Sequence, residues 1–255
     1  MDHGVIGLIA AMPEEINPLL KRVGKYTRET IEGFAAWRFE SGFREIHLVR
    51  SGMGPENAAC ATRALIAIIR PELIINFGFA GAVTKGVNVG DIAIAERILV
   101  NRKRQFQEQL GVLTDKAEDL VGILEMHFRC REFNIRLGTF ITAAEIKSKR
   151  EIAELLPAGV VNPILEMETA AVAQAAREGD VPLIAIRAIS DSADEELEFS
   201  IEDLTDRYMN IKLGMVLLTV AKRPWIVPQL LRLARNSRFA GMSLATVLPV
   251  LLKTL

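Results

Sequence analysis

Carboxylates fall at two places in the 255-residue sequence where an apolar run gives way to a turn or a helix. Glu166-Met167-Glu168 separates a short apolar run from an Ala-rich stretch, and Ser190-Asp191 follows the long apolar run from Val181 to Ile189. In open α/β sheets ligands bind beyond the strand ends, where an acid can grip a ligand or give it a proton. The same residues also suit plainer tasks: Ser190 or Asp191 can cap a helix and the glutamates can face solvent. Glu14-Glu15, after Met12-Pro13, read as acids that complement a helix N-terminus. Gly52-x-Gly54 and Gly78-x-x-Gly81 both follow apolar runs, where glycine permits either a tight turn or a close approach of backbone to ligand. Neither completes GxGxxG, which disfavours a nicotinamide enzyme.

The elements that would position these residues alternate. Val5–Ala10 reads as a strand and Met12-Pro13-Glu14-Glu15 as the start of a helix. Ala36–Glu40 and Glu45–Arg50 read as a hairpin around Ser41-Gly42, Pro55–Ile69 as a helix stopped before Pro71, and Leu73–Phe77 as a buried strand running into Gly78-Phe79-Ala80-Gly81. A further strand is expected over Gly90–Ala95. Residues 97 to 135 mix charge with weak periodicity and suggest only loop plus a helix near Asp119–Phe128. Ile135–Thr142 is expected as a strand, Ala144–Leu155 as a helix, Ile164–Met167 as the edge of a strand and Thr169–Glu178 as a helix. Val181–Ile189 is the strongest strand, and a helix is expected over Leu204–Val220. Such alternation argues a three-layer α/β fold.

Composition bounds the rest. Half the residues are apolar, a quarter charged, and the formal charge is −1, as in a globular protein rather than a disordered or collagenous one. Cys60 and Cys130 form no CxxC, and His3, His47 and His127 show no ligand spacing, so neither a disulfide framework nor a metal is expected. Met1 leads into a strand without a basic n-region or cleavage site, and no 18-residue apolar run occurs, so a cytoplasmic protein is expected. The charge is uneven. From Lys222 onward there are six bases and no acid, leaving 25 bases against 32 acids in residues 1–221. That split marks residues 222–255 as a basic, apolar C-terminal extension beside a main domain over 1–221.

Taken together, Ile9-Ala-Ala-Met-Pro-Glu-Glu15, Ser51-Gly-Met-Gly54, Ile75-Asn-Phe-Gly-Phe-Ala-Gly81, Val89-Gly-Asp91, Leu165-Glu-Met-Glu-Thr-Ala-Ala171 and Arg187-Ala-Ile-Ser-Asp191 resemble the nucleoside phosphorylase and nucleosidase superfamily. They are most similar to the methylthioadenosine/S-adenosylhomocysteine nucleosidases. The resemblance implies a phosphorylase-like fold with a central mixed, twisted sheet flanked by helices. It also implies hydrolysis of an N-glycosidic bond through an oxocarbenium-like state, releasing adenine without a cofactor. By this resemblance Asp191 protonates N7 of the leaving base and Ser190 orients it. Glu168 accepts the ribose hydroxyls, Met167 packs on the ribose, and Glu15 polarises the attacking water. Glu166 and Arg187 brace the site, with Phe79, Ala80 and Gly81 lining it. Met167 is equally well read as core filling.

The departures bear on nucleophile and substrate. Asn76 and Phe79 stand where phosphorylases with an R-x-G-S segment place Arg and Ser, which favours water over phosphate; Arg50 reads as a snorkelling or salt-bridged side chain. Phe79 replaces the serine of the nucleosidase G-S-A-G turn. Thr142-Ala-Ala-Glu-Ile-Lys147 replaces the segment carrying an aromatic platform for the purine, leaving Ile146 or Phe140 as substitutes. The tail, with Trp225, arginines and apolar stripes interrupted near Pro249, reads either as a helix packed on the core or a partner subunit, or as an element at an anionic membrane surface. It also resembles the end of hopanoid-associated nucleosidases, which raises a lipid-linked adenosine as a second candidate substrate. The same motifs leave room for a purine nucleoside phosphorylase and for a non-catalytic nucleoside sensor. The resemblance further implies a homodimer or higher oligomer acting on a small nucleoside, with no nucleic-acid partner.

Overall fold

The computed structural model describes residues 4–102, 105–109, 114–131, 133–143, 148–195, 219 and 222–255. In chain order its elements are β1 (Val5–Ala10), α1 (Pro13–Val23), β2 (Thr27–Ile31), β3 (Phe34–Ser41), β4 (Arg44–Arg50), α2 (Pro55–Ile69), β5 (Leu73–Ala82), β6 (Ile92–Arg102), β7 (Gln105–Glu108), α3 (Thr114–His127), β8 (Ile135–Ala143), α4 (Lys149–Leu155), β9 (Ile164–Glu166), α5 (Thr169–Glu178), β10 (Leu183–Asp191) and α6 (Val227–Thr254). The strands form one mixed sheet in the order β10-β6-β8-β9-β5-β1-β4-β3-β2, with β7 added to β6. Because β10 also pairs with β5, the strands β5, β10, β6, β8 and β9 close into a ring.

Strand periodicity sorts the apolar side chains into two layers. On one face Ile6, Leu8, Ile75, Phe77, Ile184 and Ile186 meet α1, α3 and α6; on the other Ile9, Ile74, Ala80, Leu183 and Ala185 meet α2 and α5. β1, β5 and β10 run parallel to one another and are covered on both faces, which is why their sequences are almost continuously apolar. The expected three-layer α/β architecture with a central mixed sheet is the architecture observed.

Several local expectations differ from the structure. Gly78-Phe79-Ala80-Gly81 is not a turn after Phe77. β5 continues through it, because the ladder to β10 persists from Ile74 to Gly81 and β9 pairs with Gly81 and Ala82. The charged stretch after 97 holds the second half of β6, paired with β8 and with β7. β2, polar on all but one residue, pairs with β3. Of the helix expected over Ala144–Leu155, residues 144–147 lie outside the described residues, as does the helix expected over Leu204–Val220 apart from Thr219.

The basic tail forms one long helix that runs through Pro249 without a break. Its Ala240, Leu244, Val247, Leu248, Leu251 and Leu252 join the same core cluster as α1, β1, β5 and β10. Close packing against α1 has a backbone cause. Pro18 has no N–H to offer the Glu14 carbonyl four residues earlier, and Gly241 fills the space beside that carbonyl. A Cβ on Gly241 would lie 3.0 Å from Glu14 O and 3.2 Å from Pro18 Cγ. At its far end α6 is tied down by Arg44 Nη2, which donates to Leu255 O at 2.7 Å, a cation where the helix dipole favours one. No helix among the described residues is long and apolar enough to cross a membrane.

Candidate active site

The sheet ends converge on a buried ion pair. Arg187, in mid-β10, is 1% exposed, and its Nη2 donates to Glu166 Oε2 at 2.9 Å, to Asn76 Oδ1 at 2.7 Å and to Thr169 Oγ1 at 2.7 Å. Glu166 Oε2 also accepts the amides of Glu168 (2.9 Å) and Thr169 (2.7 Å) and the Thr169 hydroxyl (2.6 Å), while the Thr142 hydroxyl donates to its other oxygen. A carboxylate accepting two amides at the start of α5 is the arrangement a helix N-terminus favours. Asn76 is committed to the same network, donating from Nδ2 to Ile9 O at 3.1 Å. The guanidinium lies over the Phe140 ring, 5.8 Å from its centroid, and that ring is fully buried. Phe140 is therefore core beneath Arg187 and cannot serve as a purine platform.

Glu168, two residues on, is wired differently. It is half-buried and accepts the Gly54 amide at 2.9 Å. Gly54 sits at φ +94°, which glycine adopts freely and which presents that amide at the start of α2. Burial of its carboxyl, with Glu166 and Glu15 adding like charge, pushes the Glu168 pKa up to about 7 against the pull of Arg187.

Glu15 is 3% exposed at the start of α1. Its Oε2 accepts the Ala11 and Met12 amides at 2.9 and 2.8 Å, and its Oε1 accepts the Phe79 amide at 2.8 Å. Burial raises its pKa, opposed by these amides and by Arg187. The expected placement of Glu15 at a helix N-terminus is thus observed, and the third bond carries the carboxyl across to β5. Gly78 makes the room: a Cβ there would stand 2.6 Å from Glu15 Oε1.

Asp191 ends β10 at a bulge opposite Gly81. The Ser190 hydroxyl donates to Asp191 Oδ1 at 2.7 Å and also lies 3.4 Å from Ala80 O. Gly81 is to Asp191 what Gly78 is to Glu15, since a Cβ on Gly81 would collide with Asp191 Oδ2. The two glycines are three residues apart on β5, roughly 10 Å along a strand. A network behind β10 holds its end in place. Asp91, 2% exposed, binds the amides of Asn88 and Asn134 and the Arg136 guanidinium, and its backbone carbonyl accepts the Ile189 amide at 2.9 Å.

Glu15, Glu166, Glu168, Arg187, Ser190 and Asp191 are therefore all placed at or beside the distal half of β5. Met167 is half-buried between the two glutamates, and Ala80 is buried in the core facing α2 and α5. Phe79 contributes its amide to Glu15, whereas its ring packs with the cluster that includes α6, 3.5 Å from where a Gly241 Cβ would stand. Ile146 lies outside the described residues. Arg50 is exposed at the end of β4. Sequence reasoning overlooked Thr142, Thr169 and the bonding of Asn76, whose small polar side chains carry no pattern of their own. It also overlooked Lys149, which reads as part of a charged Ser-Lys-Arg run but is 8% exposed and ion-paired with Asp191.

The phosphorylase superfamily profile matches residues 5–221, and the chain belongs to that superfamily. Among its relatives, a 5'-methylthioadenosine/S-adenosylhomocysteine nucleosidase of Listeria welshimeri is 34% identical over 215 residues, covering 78% of this chain and 91% of that protein. A Staphylococcus aureus protein of the same name is 27% identical over 218 residues, covering 80% and 93%. The fold matches a Helicobacter pylori nucleosidase of this name (TM-score 0.73, 18% identity, 100% of each chain). It also matches a futalosine hydrolase from the same organism (TM-score 0.73, 18% identity, 99% of this chain and 100% of that one).

Proposed function

We propose that this chain is a purine nucleosidase that hydrolyses the N-glycosidic bond of an adenosine-type nucleoside of the 5'-methylthioadenosine/S-adenosylhomocysteine class, releasing adenine. The observation that carries the reading is that three carboxyls border the same stretch of β5. Glu15 accepts the Phe79 amide, Asp191 stands opposite Gly81, and Glu168 is close enough to Glu15 to feel its charge. The relatives' names supply the substrate class.

In this mechanism the C1'–N9 electron pair departs with the purine while the Asp191 carboxyl gives its proton to N7. Glu168 accepts the ribose 2'- and 3'-hydroxyls and steadies the positive charge growing in the sugar. Glu15 takes a proton from the attacking water, whose hydroxide joins C1', and solvent returns protons to the starting arrangement. A raised pKa suits Glu15 to that task, because a general base works best when its pKa lies near the working pH. Ser190 orients Asp191, and the Glu166–Arg187 pair fixes the start of α5 and so the placement of Glu168.

Water is favoured over phosphate as nucleophile on the same geometry. Asn76 is bonded to Arg187 and Ile9 O, the half-buried Phe79 ring packs against the core, and Arg50 points to solvent at a strand end. The test is adenine release from 5'-methylthioadenosine and S-adenosylhomocysteine, without and with inorganic phosphate. Free 5-substituted ribose at equal rates in both buffers is expected. Phosphate-dependent release with a sugar 1-phosphate would replace hydrolysis by phosphorolysis, and tight nucleoside binding without cleavage would make the chain a sensor.

A further inference from the structure

Lys149, the first residue of α4, carries its charge into the protein: the side chain is 9% exposed. Its Nζ donates to Ser192 O at 2.6 Å, lies 3.4 Å from Asp191 O and pairs with Asp191 Oδ2. Among the described residues the acceptors for its ammonium come from two consecutive residues, Asp191 at the end of β10 and Ser192 just beyond it. The backbone opposite is shaped for the contact as well, since a Cβ on Gly81 would come within 2.8 Å of Lys149 Cε and would strike Asp191 Oδ2. The Asp191 carboxyl is therefore held from two sides, by the Ser190 hydroxyl on Oδ1 and by the Lys149 ammonium on Oδ2.

We propose that Lys149 is a positioning residue for glycosidic cleavage, fixing the Asp191 carboxyl and compensating the charge that appears on it as it gives up its proton. This rests on the reading of Asp191 as the acid. The acid is the protonated form of Asp191: when the C1'–N9 bond breaks, the bond's electron pair moves into the purine, the carboxyl proton moves to N7 and Asp191 returns to the carboxylate that pairs with Lys149 in the structure. The ammonium is already in contact with that oxygen and keeps all three of its protons. A buried cation fixed beside a developing negative charge is worth far more than one in water, and it needs no reorganisation at the moment of transfer. The ammonium's bonds to the Ser192 and Asp191 carbonyls keep it in place while the carboxyl changes charge.

The test compares Lys149→Met, Lys149→Gln and Asp191→Asn with the unaltered chain, using variants whose thermal unfolding shows a folded protein. On 5'-methylthioadenosine the two Lys149 variants should lose kcat by on the order of 10²-fold, with KM within about twofold of the unaltered value because the ammonium acts through Asp191. A second substrate carries 4-nitrophenolate in place of adenine, a leaving group that departs without a proton. There the Lys149 variants should lose at least about tenfold less than on the nucleoside. Equal losses on both substrates, a KM effect without a kcat effect, or unchanged kcat on the nucleoside would overturn the role of Lys149. Retained adenine release by Asp191→Asn would instead overturn the reading of Asp191. An inactive Asp191→Asn beside fully active Lys149 variants would sink the Lys149 proposal alone.

Discussion

Glu166 and Glu168 stand two residues apart at the junction of β9 and α5, yet their surroundings differ. Glu166 is saturated, with a guanidinium, two amides and two hydroxyls converging on its carboxylate. Glu168 accepts the Gly54 amide and carries a pKa raised to about 7. A carboxylate whose lone pairs are all committed to the protein holds structure. One left with open acceptor capacity, at a cost in its own ionisation, is suited to a ligand. Glu15 and Asp191 stand between these extremes, each anchored by protein donors and each given clearance by a glycine of β5.

That contrast is broken most severely by removing the transferable proton. Asp191→Asn should lower kcat for adenine release by at least about 10³-fold while a non-hydrolysable nucleoside analogue still binds, as isothermal titration would show. Unchanged turnover would remove Asp191 from the mechanism.

On the structural side, Arg187→Met leaves Glu166 charged and buried without its cation. Breaking a buried pair in this way costs about 3–5 kcal/mol, which chemical denaturation would measure. A loss below about 1 kcal/mol, the worth of an exposed pair, would show that solvent reaches the pair.

Glu168→Gln should lower kcat/KM by on the order of 10², with a smaller loss when the substrate lacks the 2'-hydroxyl. It should also change the pH dependence of stability. The folded state holds the Glu168 proton up to about 7 whereas the unfolded chain releases it near 4.5, so this group's contribution is fully present below 4.5 and is lost as pH rises through 7. Thermal melts of the variant should fall less than those of the unaltered chain between pH 5 and about 7.5, and kcat/KM of the unaltered chain should rise over that range as the acceptor ionises. A melt profile identical in the two proteins would contradict the raised pKa.

The smallest expected effect lies away from the acids. Gly241→Val forces a side chain against Glu14 O and Pro18, where overpacking costs about 1–3 kcal/mol. If α6 carries Phe79 and α1 with it, kcat should fall as the melting temperature falls.

What the sequence made legible follows the same physics. β1, α2, α5 and β10 were readable because parallel strands covered on both faces are apolar throughout and Ala-rich helices have clear stops. β2 and the second half of β6 were not, since half-exposed strands mix charge with apolar residues and their pairing partners lie elsewhere in the chain. The carboxyls at 15, 166, 168 and 191 could be picked out as acids at element ends, but the difference between Glu166 and Glu168 depends on Asn76, Thr142, Thr169 and Arg187 converging from other strands. Gly78 and Gly81 looked like turn glycines because sequence shows that a Cβ is missing and not what fills its place. Lys149 was hidden for the converse reason, as one base in a charged run gives no sign that its neighbours are carbonyls of β10.

The central claim is that Glu15, Glu168 and Asp191 serve one nucleoside, and a crystal structure with a non-hydrolysable 5'-methylthioadenosine analogue tests it most directly. The expected complex places N7 within about 3 Å of the Asp191 carboxyl, the ribose hydroxyls at the same distance from Glu168, and a water between Glu15 and the anomeric carbon. An analogue seated with its base turned away from Asp191, or with the three carboxyls unable to reach it together, would contradict the account.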